Sequence, residues 1–421
     1  MAIEVQAYRT LLAPPARATE RESAVTGATI PRRANLISTM AHLHLRGAQS
    51  RSELVAGLNL SRSGIGSLIG ELIDRGIAED AGVDRQPSPG RPSLVVRLNA
   101  RRAVAIAVEI GPGEVAVASV GLGGVLFDLV RQPMPDRAAV PEVVEAIRLL
   151  VEDQIDRLPP DATPVGVGVA VAGLVNNDGL LLHAPNLGWG HTDLRSVLRT
   201  ALPSGLTVTV GNESTLATIG EYLRGSLRGV DNGLLISGNA GVGGGAVVNG
   251  RLLWGANGLA AEVGHMKVQP GGAACGCGGK GCWETVIGLP AILRASGLTD
   301  LPDGTDPIEA LADGAAAGNA EVLAALDDAG RWVATGLGNL LNVLNPTRIV
   351  FGGRLGRLLP HLRTTVEEEM GRQALLGPLV ECDIVEPHLG KDATLIGASE
   401  QVLWHVLTHP EDLLVDDAAS A

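Results

Sequence analysis

Between Glu262 and Glu284 the chain reads EVGHMKVQPGGAACGCGGKGCWE, which places one imidazole, His265, and three thiols, Cys275, Cys277 and Cys282, within eighteen residues. Three of the four cysteines of the chain fall here, in the order Cys-x-Cys-x4-Cys among six glycines between Gly271 and Gly281. One imidazole and three thiolates form a closed tetrahedral donor set for zinc, and glycines let a short loop fold back on a single ion. A disulfide would leave an odd thiol and give the histidine no task. With four protein ligands no coordination position stays open for water, so the predicted ion is structural.

Polar residues gather in the same glycine-rich surroundings. Asn212 and Glu213 follow a short apolar run, Glu262 and His265 open the cysteine loop, and Glu284 ends it. Asn, Glu and His side chains suit a polyol, because each hydroxyl both donates and accepts. A metal that fixes the loop would also orient these groups.

The elements that must carry these residues follow from the rest of the chain. Its 421 residues, 45% hydrophobic with 56 glycines and 2% aromatics, predict Ala/Val/Leu/Gly-rich α/β layers in two to three domains. No apolar run approaches the length of a membrane span and the N-terminus lacks a signal-peptide core, so the expected location is the cytoplasm, with reduced cysteines. The net charge of -13 is unevenly spread. Residues 1–100 hold twelve Arg and nine Asp+Glu, a balance of 12 − 9 = +3, and the remainder carries −13 − 3 = −16. A basic head on an acidic body permits nucleic-acid binding by the head alone.

Residues 1–32, with Pro14, Pro15 and Pro31, are expected to form a mobile arm. Residues 33–98 read as a winged helix-turn-helix. A helical stripe over Asn35–Arg46 precedes a helix capped at Ser50 or Ser52, which stops at Gly57-Leu58-Asn59. A second helix follows over Ser61–Arg75, then an extended pair enclosing the wing Arg85-Gln-Pro-Ser-Pro-Gly-Arg-Pro-Ser. The start of the second helix nominates Arg62, Ser63 and Ser67 for double-stranded DNA, with Arg91 entering the minor groove.

From residue 99 onward apolar β-runs alternate with helical patterns. Strands are expected at Ala103–Ile110, Glu114–Val120, Val165–Val171, Thr207–Val210, Gly233–Ile236 and Arg348–Phe351, with helices at Ala138–Arg157, Ser214–Leu227, Asp327–Leu344 and Ala393–Leu407. Glycine-rich turns are expected at Glu109–Glu114, Asn239–Gly245 and Gly352-Gly353, where backbone N–H groups can cradle phosphate.

These residues resemble the ROK family of sugar kinases and sugar-responsive repressors. The likeness rests on Glu262-Val-Gly-His265 with the cysteine loop, and extends through Val165–Val175, Ala184-Pro-Asn-Leu-Gly-Trp189, Asn212-Glu213 and Asn345–Gly353. The head places the chain with the repressor branch, similar to xylose and N-acetylglucosamine repressors. The resemblance implies a two-lobed, ribonuclease-H-like body of the actin and hexokinase type, with lobe 1 over 99–229 plus 394–415 and lobe 2 over 230–393. It also implies a free sugar effector held by Asn212, Glu213, Glu262, His265 and Glu284, zinc on His265, Cys275, Cys277 and Cys282, an operator as DNA partner, and a homodimer or homotetramer.

The departures from the kinase pattern favour a sensor over an ATP-dependent sugar kinase, the alternative reading. The first phosphate loop is Glu109-Ile-Gly-Pro-Gly113-Glu114, lacking the usual threonine hydroxyl. A bare Glu114 carboxylate about 4 Å from a phosphate would repel it by roughly 4 kcal/mol at an effective dielectric near 20. The second loop, Asn239-Ala240-Gly241-Val242-Gly243, loses another hydroxyl, and Glu213 stands at the kinase base position.

Overall fold

The computed structural model describes residues 30–83, 94–239, 241–302, 304–375 and 381–414. The arm up to residue 29, the wing loop with Arg91, and Ala240 lie outside them.

The head is built on two local capping devices. Helix α1 (Ile30–Arg46) leads into strand β1 (Gln49–Ser50). Helix α2 (Arg51–Leu58) starts from a reciprocal cap: the Glu53 N–H donates to Ser50 Oγ at 3.2 Å, and the Ser50 N–H donates to Glu53 Oε2 at 2.7 Å. It ends at Asn59 in the left-handed region, φ 52°. Helix α3 (Arg62–Asp74) is capped by Ser61 Oγ, which accepts from the Gly64 N–H at 3.1 Å. Strands β2 (Ala78–Val83) and β3 (Leu94–Leu98) pair antiparallel, and β1 adds to the free side of β3, an edge strand the apolar pattern had not indicated. Helix α1 begins at Ile30, inside the segment expected to be an arm.

The body repeats one topology twice. Strands β4 (Ala103–Gly111), β5 (Glu114–Gly121) and β6 (Val125–Pro133) form an antiparallel meander. Helix α4 (Val140–Asp156) crosses to β7 (Thr163–Val171), parallel to β4. A small hairpin of β8 (Leu174–Val175) and β9 (Leu181–His183), then helix α5 (Leu194–Ala201), lead to β10 (Thr207–Asn212), parallel to β7. The sheet order is β10-β7-β4-β5-β6, and helix α6 (Glu213–Arg224) leaves it. The second sheet has the same order and senses: β11 (Gly233–Gly238), β12 (Val242–Val248) and β13 (Arg251–Leu252) in antiparallel succession, then β14 (Arg348–Gly352) and β15 (Asp383–Val385) in parallel. Between β13 and β14 lie the cysteine loop, α7 (Glu284–Ile287), α8 (Leu289–Ala295), α9 (Pro307–Ala316) and the long α10 (Ala320–Leu344), while α11 (Gly353–Gly356) and α12 (Leu359–Gln373) precede β15. This is the ribonuclease-H-like repeat of actin and hexokinase bodies. Helix α13 (Ala393–Thr408), followed by α14 (Glu411–Leu414), packs on α6 and the first sheet.

Asn239–Gly245 is not a turn throughout. Gly243, Gly244 and Gly245 lie inside β12, paired with Ser237, Ile236 and Leu235. Their missing side chains serve packing: a Cβ on Gly243 would lie 2.1 Å from Ser214 Oγ, and one on Gly245 would lie 2.1 Å from Thr218 Oγ1. The same device joins α6 to α13, where a Cβ on Gly397 would stand 1.8 Å from the Leu216 carbonyl oxygen. Helix α6 is therefore wedged without cushioning between the second sheet and α13. No helix among the described residues is long and apolar enough to cross a membrane.

Candidate functional site

The cysteine loop is anchored by its end. Trp283 is fully buried, donates from Nε1 to the Trp332 carbonyl at 2.8 Å, and fills the space left by Gly336 on α10. Lys267 and Cys282 pair across the loop, and Gly281 turns with φ +69° where a Cβ would strike the Gln269 carbonyl. The chain thus folds back, and the ligand atoms of His265, Cys275, Cys277 and Cys282 all lie within 4.8 Å of one another. Cys277 Sγ is 3.5 Å from Cys282 Sγ, and Cys275 Sγ is 3.6 Å from His265 Nδ1. Tetrahedral bonds of ordinary length would give edges of about 3.8 Å between sulfurs and about 3.6 Å from sulfur to nitrogen. The cluster can hold one metal ion through His265 Nδ1. Lys267 Nζ donates to Cys282 Sγ at 2.7 Å and offsets thiolate charge.

Of the polar residues named from the sequence, Glu213 lines the cleft between the sheets, a cavity of about 1380 Å³ also lined by Glu109, Gly113, Arg131, Asn186 and Lys391 among others, and Glu284 reaches its edge beside Gly241. Glu213 is the first residue of α6. Glu262 enters from the turn Val263–His265, which Gly264 lets approach the Val242 carbonyl. Glu284 Oε1 lies 3.7 Å from His265 Nδ1 and accepts from the Cys275 thiol at 2.8 Å. Burial and the Glu284 contact hold that thiol well above its ordinary range.

Asn212 directly precedes Glu213, and its side chain is largely spent on structure. Its Oδ1 accepts from the Ser214 and Thr215 N–H groups at 2.9 and 3.0 Å, capping α6, and its Nδ2 donates to the Gly173 carbonyl at 2.9 Å. One amide hydrogen is left for a ligand. Asn186, in the Ala184–Trp189 motif and without a distinguishing signal of its own in the sequence, lines the cavity beside Gly241 and Glu284.

Burial raises three cleft carboxyls. Glu213 is pushed to about 7 by burial and by the neighbouring Glu109 and Glu262 carboxylates, and Glu262 to about 7 by burial and by Glu284. Glu109 also reaches about 7 through burial, although Arg131 acts against it. A carboxyl whose folded pKa exceeds its unfolded 4.5 binds its proton more tightly in the fold. Its favourable contribution is complete below pH 4.5 and is lost as pH rises through 7. Glu262→Gln should therefore stabilise the ligand-free protein at pH 8 by about 2 kcal/mol relative to its effect at pH 4.5, read from urea unfolding. Equal effects at both pH values would mean that the carboxyl is solvated.

Glu114 is not the bare charge expected. Arg131 NH1 donates to Glu114 Oε1 at 2.8 Å, lies 3.9 Å from Glu109, and its NH2 lies 3.6 Å from Asp392. One guanidinium among three carboxylates reduces the repulsion of a phosphate without removing it. Arg131 had no sequence signal, since β6 carries it from outside every motif.

In the head, Arg62, Ser63 and Ser67 are exposed on α3, opposite the buried Ile65, Leu68, Ile69 and Leu72. The three therefore share an open helix face.

Comparisons with known proteins place this architecture. The chain is 25% identical over 365 residues to the xylose repressor of Bacillus spizizenii, covering 85% of this chain and 92% of the relative. It is 30% identical over 315 residues to the glucokinase of Streptomyces coelicolor, covering 70% of this chain and 96% of the relative. A crystal structure of a ROK family transcriptional regulator, a homolog of the E. coli MLC protein, superposes with a TM-score of 0.73 at 25% identity over 91% of this chain and 100% of that one. With residues 105–405 matching the ROK family profile, the chain belongs to the ROK family.

Proposed function

We propose that the protein is a sugar-responsive transcriptional repressor whose effector, a free sugar, sits between the two lobes. The observation that carries this reading is a capped helix-turn-helix, α2 and α3, with an open polar face, joined in one chain to the two-lobed body. The similarity to regulators spans 85–91% of the chain, whereas similarity to the glucokinase spans 70%.

In this reading Arg62, Ser63 and Ser67 meet base edges of an operator, and Arg91 enters the adjacent minor groove. The protein acts in the cytoplasm as a homodimer or homotetramer whose heads take half-sites about 34–36 Å apart. Glu213, Glu262, His265, Glu284 and the remaining amide hydrogen of Asn212 hold the sugar hydroxyls. The metal is zinc, supported by the thiolate and imidazole donors and their tetrahedral spacing. Its role is to fix the loop. Loaded Cys275 is a thiolate and cannot donate, so Glu284 gives up that contact and is available to a hydroxyl.

The protein is not a kinase in this reading. Catalysis of phosphoryl transfer depends on positioning and charge neutralisation, and Glu109, Glu114 and Asp392 share one arginine where phosphate oxygens would lie.

Thermal unfolding with D-xylose, D-glucose and N-acetyl-D-glucosamine, each with and without ATP and magnesium, tests the assignment. A bound sugar at 100 times its dissociation constant stabilises by about 2.7 kcal/mol. One sugar should raise the midpoint and ATP should add nothing. Stabilisation by ATP, with ADP produced, would favour the kinase reading.

A further inference from the structure

Helix α6 is tied to the head at the end opposite its ligand-facing residue. Its twelve residues span about 18 Å, with Glu213 at one end in the cleft and Arg224 at the other. There Arg224 Nε donates to Glu400 Oε1 at 2.7 Å, and its NH1 donates to the carbonyl of His44 on α1 at 3.1 Å. Glu400, on α13, reaches the His44 ring with its second oxygen, Oε2 to Nε2 at 2.8 Å. The ring's Nδ1 accepts from the Gly123 N–H at 2.9 Å, and its Nε2 also lies 2.7 Å from Arg224 NH2, so the ring is held by both members of the ion pair. Burial holds the imidazole below its ordinary pKa, leaving Arg224 as the countercharge of Glu400. His44 and Glu400 have no exposed surface, and Arg224 has 13%.

Two further details make this a joint rather than a surface pair. Gly124, with φ +70°, leaves the space the guanidinium occupies: a Cβ there would lie 1.9 Å from Arg224 Nε. One turn on, Arg228 NH2 donates to the Leu45 carbonyl at 3.2 Å. Two arginines of the body thus satisfy the carbonyls at the C-terminal end of α1, which a helix leaves without intrahelical partners. Leu216, Ile219 and Leu223 of α6 share one apolar cluster with Leu36, Met40 and Leu43 of α1 and with Leu395, Val402 and Leu403 of α13.

Glycine contacts decide what moves α6. Gly243 and Gly245 of β12 press directly on Ser214 and Thr218, and Gly397 and Gly220 bring α13 and α6 to backbone contact. No side chain of β12 separates it from α6 here, and Thr218 Oγ1 is held to the Ser214 carbonyl at 2.7 Å, so a rotation of the second sheet would bear on α6 and, through it, on Arg224.

We propose that α6 transmits lobe closure to the DNA-binding head, and that Arg224, gripping Glu400 and the end of α1, is the positioning residue through which a bound sugar changes the orientation of the head. The proposal rests on the sugar-responsive reading above. It differs from a purely structural joint because it ties the position of α1 to occupancy of the cleft, which requires a differential effect of the sugar on the two states.

Amide hydrogen exchange of the full chain tests it, with and without whichever of D-xylose, D-glucose and N-acetyl-D-glucosamine raises the unfolding midpoint. In the unsubstituted protein the sugar should change exchange over residues 36–46 by about fivefold. In Arg224→Gln the sugar should bind within about twofold of its unsubstituted affinity, while its effect on residues 36–46 disappears. A structural joint alone would raise basal exchange in the variant yet keep the sugar response. An unchanged response in Arg224→Gln therefore overturns the proposal, as does no response in the unsubstituted protein. Should Arg224→Gln fail to fold, Arg224→Lys, which keeps the charge but loses the fork, answers the same question with a weakened response. If none of the three sugars binds, the sugar reading fails separately. The proposed coupling then falls with it, and sugar-free exchange decides only the joint itself: acceleration over residues 36–46 by about tenfold in the variant shows that Arg224 holds α1, and no acceleration refutes even that.

Discussion

Removing the metal from the native protein, or replacing Cys282 with serine, should abolish sugar binding and lower the unfolding midpoint, with the head left folded. Structural zinc contributes about 10–16 kcal/mol in zinc-finger peptides. Here the loop is also anchored by buried Trp283, so the expected loss is smaller, about 3–5 kcal/mol, still a large part of a domain's stability. The reason is geometric. In the proposed reading His265 serves the metal and the sugar at once, and the bound ion would hold three thiolates together beside Lys267, so its loss would release the loop. Metal analysis should give one zinc per chain in the native protein and none in Cys282→Ser. Equal sugar affinity with and without metal would show that the loop is held by packing alone.

Replacing Glu213 with alanine should weaken sugar binding by about 10- to 150-fold, the range of one hydrogen bond to a charged group at about 1.5–3 kcal/mol. Operator binding without sugar should stay unchanged, because Glu213 faces the cleft and makes none of the contacts that hold the head. Asn212→Ala should behave differently. It removes the cap of α6 and the bond to the Gly173 carbonyl, so a stability loss of about 1–2 kcal/mol accompanies any loss of sugar. Calorimetric titration beside thermal unfolding separates the two variants. Identical behaviour would mean that Asn212 and Glu213 act only as one structural unit.

Local chemistry made much of this legible. Ser50, one of two cap candidates with Ser52, the stop at Gly57-Leu58-Asn59, Ser61 at the start of the next helix, and much of the strand-helix alternation are short-range signals that the fold keeps, although the helix expected over Asp327–Leu344 begins at Ala320 and β6 and β12 left no such signal. The cysteine loop was readable because metal coordination demands residue types at fixed reach. Glycines were ambiguous, since the same residue serves turns and close packing. Gly243–Gly245 looked like a phosphate loop and instead admits Ser214 and Thr218 into the face of β12. Partnerships across long sequence separations left no trace: Arg131 among Glu109, Glu114 and Asp392, and Arg224 with Glu400 and His44, exist only once the sheets and the head are assembled. Asn212 was marked as polar and near the site, but only the fold shows that its amide is mostly committed to α6.

The central claim is that occupancy of the cleft controls DNA binding. The most direct measurement selects a duplex from a random-sequence library with the purified full-length protein, then titrates that duplex with each of the three sugars. The account predicts that one sugar weakens binding by at least about tenfold, a coupling of about 1.4 kcal/mol, and that Glu213→Ala abolishes the effect. Duplex binding indifferent to every sugar, together with ATP-dependent sugar phosphorylation, would contradict it.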